Sequence, residues 1–326
     1  MKKHFSLIFI IFLFISTSSG GSFKKYAGEF LALGAGSRSL AMGGAYTAAA
    51  NDVTAGYWNP SGLVESNGLQ IEFMYSNQFI SSINYNYLGA SLNMNDGSAF
   101  GVSLIYFNIS GIKDSRYAYD IVNQKVDPTL VKTFNTGDYA ALFSYARRYN
   151  ERLSYGANLK VIYRDYYTET AFGLGFDAGA KYKLAENLML GAMLRDITTT
   201  MISWSTSEKE FITPSARLGI TYVYRIDSAN LAVQPSADFN ILFENRSYAS
   251  QLNLGAMSID TFWGLEVAYH NLLALRIGYD DLNRLNTGIG FTVPYMSFSY
   301  SFTAYESELG NVHRISVQLS FADFMK

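Results

Sequence analysis

From residue 69 onward the chain alternates between large apolar and small or polar side chains. In 172–184, FGLGFDAGAKYKL, one set of positions holds Phe172, Leu174, Phe176, Ala178, Ala180, Tyr182 and Leu184. The other holds Gly173, Gly175, Asp177, Gly179, Lys181 and Lys183. The stretches 231–243, 296–303 and 314–321 repeat the pattern, the second with Met296, Phe298, Tyr300 and Phe302 set against serines and a threonine. A period of two marks strands with one apolar face. A soluble sandwich alternates too, but its second face looks at bulk water and is rich in Lys, Glu and Thr. Here the second face is mostly Gly, Ser, Asn and Gln with isolated charges, which suits a confined polar interior. The runs are about ten residues long, the length that crosses a bilayer at a tilt. Strands in lipid must pair every backbone amide, so they must close on themselves. The pattern predicts an all-β fold, a transmembrane antiparallel β-barrel.

Short polar turns at 95–97, 150–152, 185–187 and 227–230 alternate with longer stretches at 110–135, 166–170, 198–210 and 244–248. Short connections at one rim and long ones at the other are the outer-membrane arrangement. Candidate strands number fourteen or fifteen, depending on where 69–95 and 249–270 are cut. A single-chain bacterial barrel has an even number, so the expectation is about 14 strands.

Composition agrees. The 326 residues are 16% aromatic and only 16% charged, against about 25% charged in ordinary soluble domains. No stretch after residue 20 reaches the roughly 18 apolar residues of a spanning helix. Residues 1–20 read as a secretory signal peptide: a basic MKKH, an apolar run FSLIFIIFLFI and a small-residue STSSGG. Its removal takes away Lys2 and Lys3, leaving 23 basic against 27 acidic residues and a net charge of −4. Such a chain offers no basic tract to a nucleic acid. There is no cysteine, hence no disulfide. Two histidines, His270 and His313, remain in the mature chain. They propose no zinc site and no nucleophile–His–acid set, so neither an enzyme nor a cofactor is expected. GLGF at 173–176 and GIGF at 288–291 lie inside strands and lack a dinucleotide fingerprint's third glycine. Their glycines read as room for a neighbour inside the barrel.

Before the strands comes a different segment. Residues 27–63, AGEFLALGAGSRSLAMGGAYTAAANDVTAGYWNPSGL, are rich in Gly, Ala and Ser. Small residues let backbones approach closely, as in a segment packed inside a barrel. SLAMGGAYTAAAND could form a short helix, weakened by its double glycine. Asn59, Pro60, Ser61 and Gly62 fit a type I turn, and Trp58 would wedge that turn against the wall. The expected organisation is a signal peptide over 1–20, an N-terminal plug segment in the lumen over 21–63, and the transmembrane barrel over 64–326.

Register gives a sharper expectation. Folding 171–184 onto 188–197 about Glu186 sets Leu184 against Leu188, Tyr182 against Leu190 and Asp177 against Arg195. Folding 262–270 onto 272–280 about Asn271 sets Leu265 against Ile277, Trp263 against Tyr279 and Glu266 against Arg276. Opposite charges across a strand pair contribute about 0.2–1 kcal/mol, and an unpaired charge in a confined lumen costs more. These pairs could line a selective path or stiffen the barrel, and stiffening is the preferred reading. The aromatic clusters 163–167 and 222–224, with Tyr145 and Tyr149, sit at strand ends, as membrane-interface rings do.

The segment GEFLALGAGSRSLAMGGAYTAAANDVTAGYWNPSGL resembles the N-terminal signature of the PorV/PorQ proteins, which are similar to the FadL-type outer-membrane transporters. The resemblance continues at 202–222, 264–280 and 308–321. Ser61 stands where the family turn usually has Ala. Five residues follow Phe321, so the terminal aromatic signal of many barrels falls on Phe321 or Phe324. The resemblance implies a fourteen-stranded barrel in the bacterial outer membrane, surrounded by lipid, with its N-terminal segment inside. It also implies two different roles. One is protein export or surface attachment of the type IX secretion kind, with secreted cargo proteins and secretion-system subunits as partners. The alternative is a passive channel for a small hydrophobic ligand, which binds in an apolar pocket and leaves through a gap in the wall. Export is the leading expectation.

Overall fold

The structure, a computed structural model, describes residues 28–78, 83–94, 96–120, 124–246, 250–305 and 310–321. The expected signal peptide and Phe324 lie outside these residues. Fourteen antiparallel strands close into one barrel. They are β1 (Leu69–Gln78), β2 (Ile83–Asn93), β3 (Ser98–Asp114), β4 (Lys132–Arg148), β5 (Leu153–Tyr166) and β6 (Glu169–Ala185). Next come β7, in two pieces (Leu188–Arg195 and Thr200–Trp204), and β8, in three (Lys209–Ile212, Ser215–Tyr222 and Tyr224–Ile226). The rest are β9 (Leu231–Leu242), β10 (Ser258–Tyr269), β11 (Leu273–Tyr279), β12 (Leu285–Val293), β13 (Met296–Thr303) and β14 (Val312–Phe321). Each strand pairs with its sequence neighbours, and β14 returns to β1 through Leu69↔Phe321 to Asn77↔His313. Closure leaves no free edge in the wall.

The barrel is polar inside and apolar outside. On β6, Ala171, Gly173, Gly175, Asp177, Gly179 and Lys181 are buried, while Phe172, Leu174, Phe176, Tyr182 and Leu184 are exposed. Buried polar side chains recur on the inner face around the wall, among them Glu72, Asp138, Lys160, Arg217, Asp238, Glu266 and Arg314. The outer face carries large apolar residues. Phe298 and Tyr300 are 40% and 36% exposed and Leu275 is 63% exposed. A water-soluble fold would bury such residues and expose the charges. An aromatic row, Tyr106↔Tyr139↔Tyr163↔Phe172, runs across β3 to β6, with Tyr106 stacked on Tyr139 at 4.8 Å.

Several connections differ from expectation. The 110–135 stretch is not all loop, because β3 and β4 run on to Asp114 and Lys132 past a bulge between Ile109 and Ile112. The 166–170 stretch is a tight hairpin, closed by Tyr166↔Glu169 with Tyr167 at φ 61°. The 198–210 stretch holds strand residues of β7 and β8. The count of fourteen or fifteen resolves at the two stretches that raised it: 69–95 holds two strands, β1 and β2, and 249–270 holds one, β10, with Leu252–Asn253 folded back on its start through Leu252↔Ile259 and Asn253↔Ser258.

Residues 28–66 lie against the inner wall. They form short turns: a 3-10 helix at Glu29–Leu33, α1 at Ser37–Ala41, α2 at Ala55–Trp58 and a 3-10 helix at Pro60–Glu65. The longer helix expected over SLAMGGAYTAAAND stops after Ala41, because Gly43 and Gly44 take φ +64° and +80°, the left-handed region that ends a helix.

The wall receives this segment on glycines. Gly156↔Gly179, Gly191↔Gly219 and Gly264↔Gly278 are directly paired across β5–β6, β7–β8 and β10–β11. A Cβ at Gly156 or Gly179 would strike Pro60. At Gly191 or Gly219 it would strike Thr47 and Ala48, and at Gly264 or Gly278 it would strike Met42. The sequence shows these glycines as the small face of alternating strands. The structure adds which backbone each one admits.

Candidate functional site

The turn Asn59–Gly62 joins segment to wall. Asn59 Oδ1 accepts from the Ser61 amide and hydroxyl at 3.3 and 2.7 Å. The Gly62 amide donates to the Asn59 carbonyl at 2.9 Å, closing the turn. Asn59 Nδ2 donates to the carbonyls of Thr47 at 3.0 Å, Ala180 at 3.2 Å and Ala192 at 3.4 Å. One side chain thus caps a turn and ties it to β6 and β7. Pro60 fixes the first residue of the 3-10 helix. Gly62 has no room for a side chain, since a Cβ would lie 2.2 Å from the Ala50 carbonyl oxygen. Trp58 turns into the segment: its Nε1 donates to the Ala35 carbonyl at 2.7 Å. Wall arginines cover it, with Arg217 at 5.3 Å and Arg195 at 6.0 Å from the ring centre.

Charge holds the segment on the other side. Glu266 lies across from Arg276, with Nε at 2.5 Å, and also takes both Nε and Nη2 of Arg38 at 2.9 and 2.8 Å. Leu265↔Ile277 and Trp263↔Tyr279 flank that pair. Arg38 continues to Asp52, whose Oδ2 also accepts from the Tyr46 hydroxyl at 2.6 Å. Asp238 accepts from the Tyr46 and Thr47 amides and pairs with Arg217.

The other expected pair does not form. Ala178↔Leu194 and Tyr182↔Leu190 keep the anticipated β6–β7 register, while a bulge between Lys183 and Ala185 displaces Leu184 from Leu188. Asp177, however, spends its oxygens on Lys160 Nζ at 3.1 Å, Asn158 Nδ2 at 3.4 Å and the Asp196 amide at 2.9 Å. Lys160 stands on the opposite neighbouring strand, β5. Arg195 instead lies over Tyr57, 5.1 Å from the ring centre, with Nη2 buried and unbonded.

These groups border a chamber of about 640 Å³ between the segment and the long-connection side of the wall. Leu31, Tyr57, Leu142, Ile212 and Leu242 give it an apolar side; Lys160, Asp177, Arg195, Asp196, Arg246 and Asp260 give it a charged one. At its mouth, burial and the neighbouring Asp280 hold the Asp281 carboxyl above the usual carboxylate range. The chamber is more polar than the apolar pocket that the channel reading implied. Elsewhere across the bore the segment packs on the wall, with Ala41, Met42, Tyr46 and Ala50 fully buried.

To the side, the chamber reaches a break in the wall. Between Arg195↔Ser215 and Thr200↔Ile212, residues 196–199 of β7 face 213–214 of β8 with no ladder pair. Pro214 has no amide to donate. Arg195, Asp196, Ile212, Thr213 and Ser215 line both the break and the chamber. No glycine or charge pattern in the sequence announced this break; Pro214 was its one signal. Among the described residues, no three His, Cys, Asp or Glu side chains are grouped to hold a metal ion.

No protein-family model matches the chain, and no curated protein matches it by sequence. Solved structures do match. The toluene transporter TbuX of Ralstonia pickettii superposes with a TM-score of 0.58 at 13% identity, over 88% of this chain and 98% of that one. The monoaromatic hydrocarbon channel CymD gives 0.56 at 14%, over 89% and 98%. The toluene transporter TodX of Pseudomonas putida gives 0.54 at 15%, over 87% and 96%. The fold is that of a closed fourteen-stranded outer-membrane barrel. Within that class it shares its fold with these three structures.

Proposed function

We propose that this chain is a passive outer-membrane channel for small hydrophobic molecules. A molecule enters from the long-connection rim, rests in the chamber against Leu31, Tyr57, Leu142, Ile212 and Leu242, and leaves sideways into the bilayer. One observation carries this reading: the segment packs on the wall across the bore with buried residues, while the chamber's side reaches the unpaired stretch of β7 and β8. Structures of the same fold that are described as toluene transporters or monoaromatic hydrocarbon channels support it. Export of cargo in the PorV/PorQ manner rests on the sequence resemblance alone, and the fold comparison favours its alternative.

The test is uptake of labelled toluene and naphthalene by cells that lack their own channel. The expected result is faster uptake when the chain is expressed in the outer membrane. Uptake no faster than in empty cells, at equal surface expression, refutes the proposal. Pulldown from detergent extracts distinguishes the export role, which requires secreted cargo or secretion subunits on the bait.

A further inference from the structure

The break in β7 is held by side chains where its ladder fails. Asp196 and Thr199 take φ 54° and 57°, a left-handed conformation that costs non-glycine residues energy. Four residues, 196–199, face two across the break on β8. On the β6 side a backbone bond remains, from the Ile197 amide to the Phe176 carbonyl at 2.9 Å, and the Thr199 amide turns back on the Asp196 carbonyl. Asp196, in contrast, is anchored three times inward. Its Oδ1 meets Lys160 Nζ at 2.6 Å and accepts from the Thr200 hydroxyl at 2.5 Å, and its amide donates to Asp177 Oδ1. Lys160 bridges Asp196 and Asp177, and the three side chains are almost fully buried. The break lies between the outward-facing Leu194 and Met201, within the apolar belt of the wall.

We propose that Lys160, Asp196 and Thr200 form a latch that holds residues 196–199 inward and sets how often the wall opens beside the chamber. This rests on the channel reading above, for which the break is the exit. A strained stretch without ladder bonds to β8 opens at low cost unless something retains it. Charge-assisted bonds inside the wall are the retaining element here. The latch therefore assigns Lys160 a positioning role: it restrains the exit rather than binding the passenger. Asp177 fixes the lysine from the far side, so that a single ammonium spans β5, β6 and the displaced piece of β7.

Asp196→Asn removes the charge while keeping the side chain's size and leaves the Lys160–Asp177 pair in place. Thr200→Val removes the hydroxyl alone. In lipid nanodiscs, hydrogen exchange at residues 195–200 is expected to rise by about tenfold or more in Asp196→Asn and by less in Thr200→Val. Exchange at 153–166 should stay as it was. Uptake of labelled naphthalene should rise with the exchange. The chain has no cysteine, so two staples across existing register pairs are unambiguous: Leu194→Cys with Ala216→Cys, and Met201→Cys with Phe211→Cys. Oxidised together they should stop uptake, and reduction should restore it.

Unchanged exchange at 195–200 in both variants overturns the latch, as does a rise in exchange with no rise in uptake. If the staples block uptake in either case, the sideways route stands without the latch. If oxidised staples leave uptake intact, the sideways route itself fails, and the latch fails with it.

Discussion

Gly278 offers the sharpest test of how the N-terminal segment sits in the wall. A Cβ built there lies 2.2 Å from the Met42 carbonyl carbon, 2.4 Å from the Gly43 amide nitrogen and 2.6 Å from the Met42 carbonyl oxygen. Ordinary carbon contacts begin near 3.5 Å, so Gly278→Ala requires roughly 1 Å of separation between two backbones. Neither backbone gives easily. Gly278 is paired with Gly264 on one side and Asn286 on the other, and Met42 closes the turn that ends α1. Overpacking of this kind costs about 1–3 kcal/mol. Gly173→Ala is the matched control. Its Cβ would lie no nearer than 3.0 Å to any neighbour, and those neighbours, Ile202, Ile162 and Met201, belong to the wall and not to the segment, so its cost should be under about 1 kcal/mol. Urea unfolding in detergent micelles, followed by Trp fluorescence, reads the difference, and limited proteolysis within 28–66 reports release of the segment. If Gly278→Ala is as mild as Gly173→Ala in both assays, the segment does not touch the wall there and the glycine belt has another cause.

Other changes test the remaining contacts. Glu266→Ala leaves Arg38 and Arg276 facing each other without their shared carboxylate; breaking such a buried pair costs about 3–5 kcal/mol, read as a lower urea midpoint. Asn59→Ala removes the turn cap and the ties to Thr47 and Ala180, with an expected loss of about 1–3 kcal/mol and faster proteolysis after residue 59. Leu275→Arg sits on a residue 63% exposed. It would be nearly neutral on a soluble surface, but on a lipid-facing wall it should cost up to about 2–4 kcal/mol, measured as reduced folding yield into liposomes.

Much of the architecture was legible because the outer face is mostly apolar at every second position. That periodicity fixes which side of each strand meets lipid, and it set the β10–β11 register through Trp263, Leu265 and Glu266. The pairing of Asp177 was illegible for a local reason. An inward carboxylate has two neighbouring strands, and a hairpin drawn from sequence considers only one; Lys160 came from the other. The breaks in β7 and β8 were hidden because DITTT and TP carry no period of their own, and their flanking pieces alternate normally. The N-terminal segment stands out in the sequence by its small residues and a Trp-Asn-Pro turn. Its docking depends on glycines more than a hundred residues away, such as Gly179 and Gly191, which no local pattern connects to it.

The central claim is that the apolar face looks into lipid while the leading segment fills the bore. Tryptophan quenching measures both at once, using variants that keep a single tryptophan in reconstituted bilayers. Trp263 is 51% exposed on the outer face, and Trp58 is 3% exposed inside. Trp263 alone should be quenched strongly by lipids brominated on their acyl chains and hardly at all by aqueous iodide, whereas Trp58 alone should resist both. Quenching of Trp263 by iodide but not by brominated lipid, or ready quenching of Trp58 by iodide, would contradict the account.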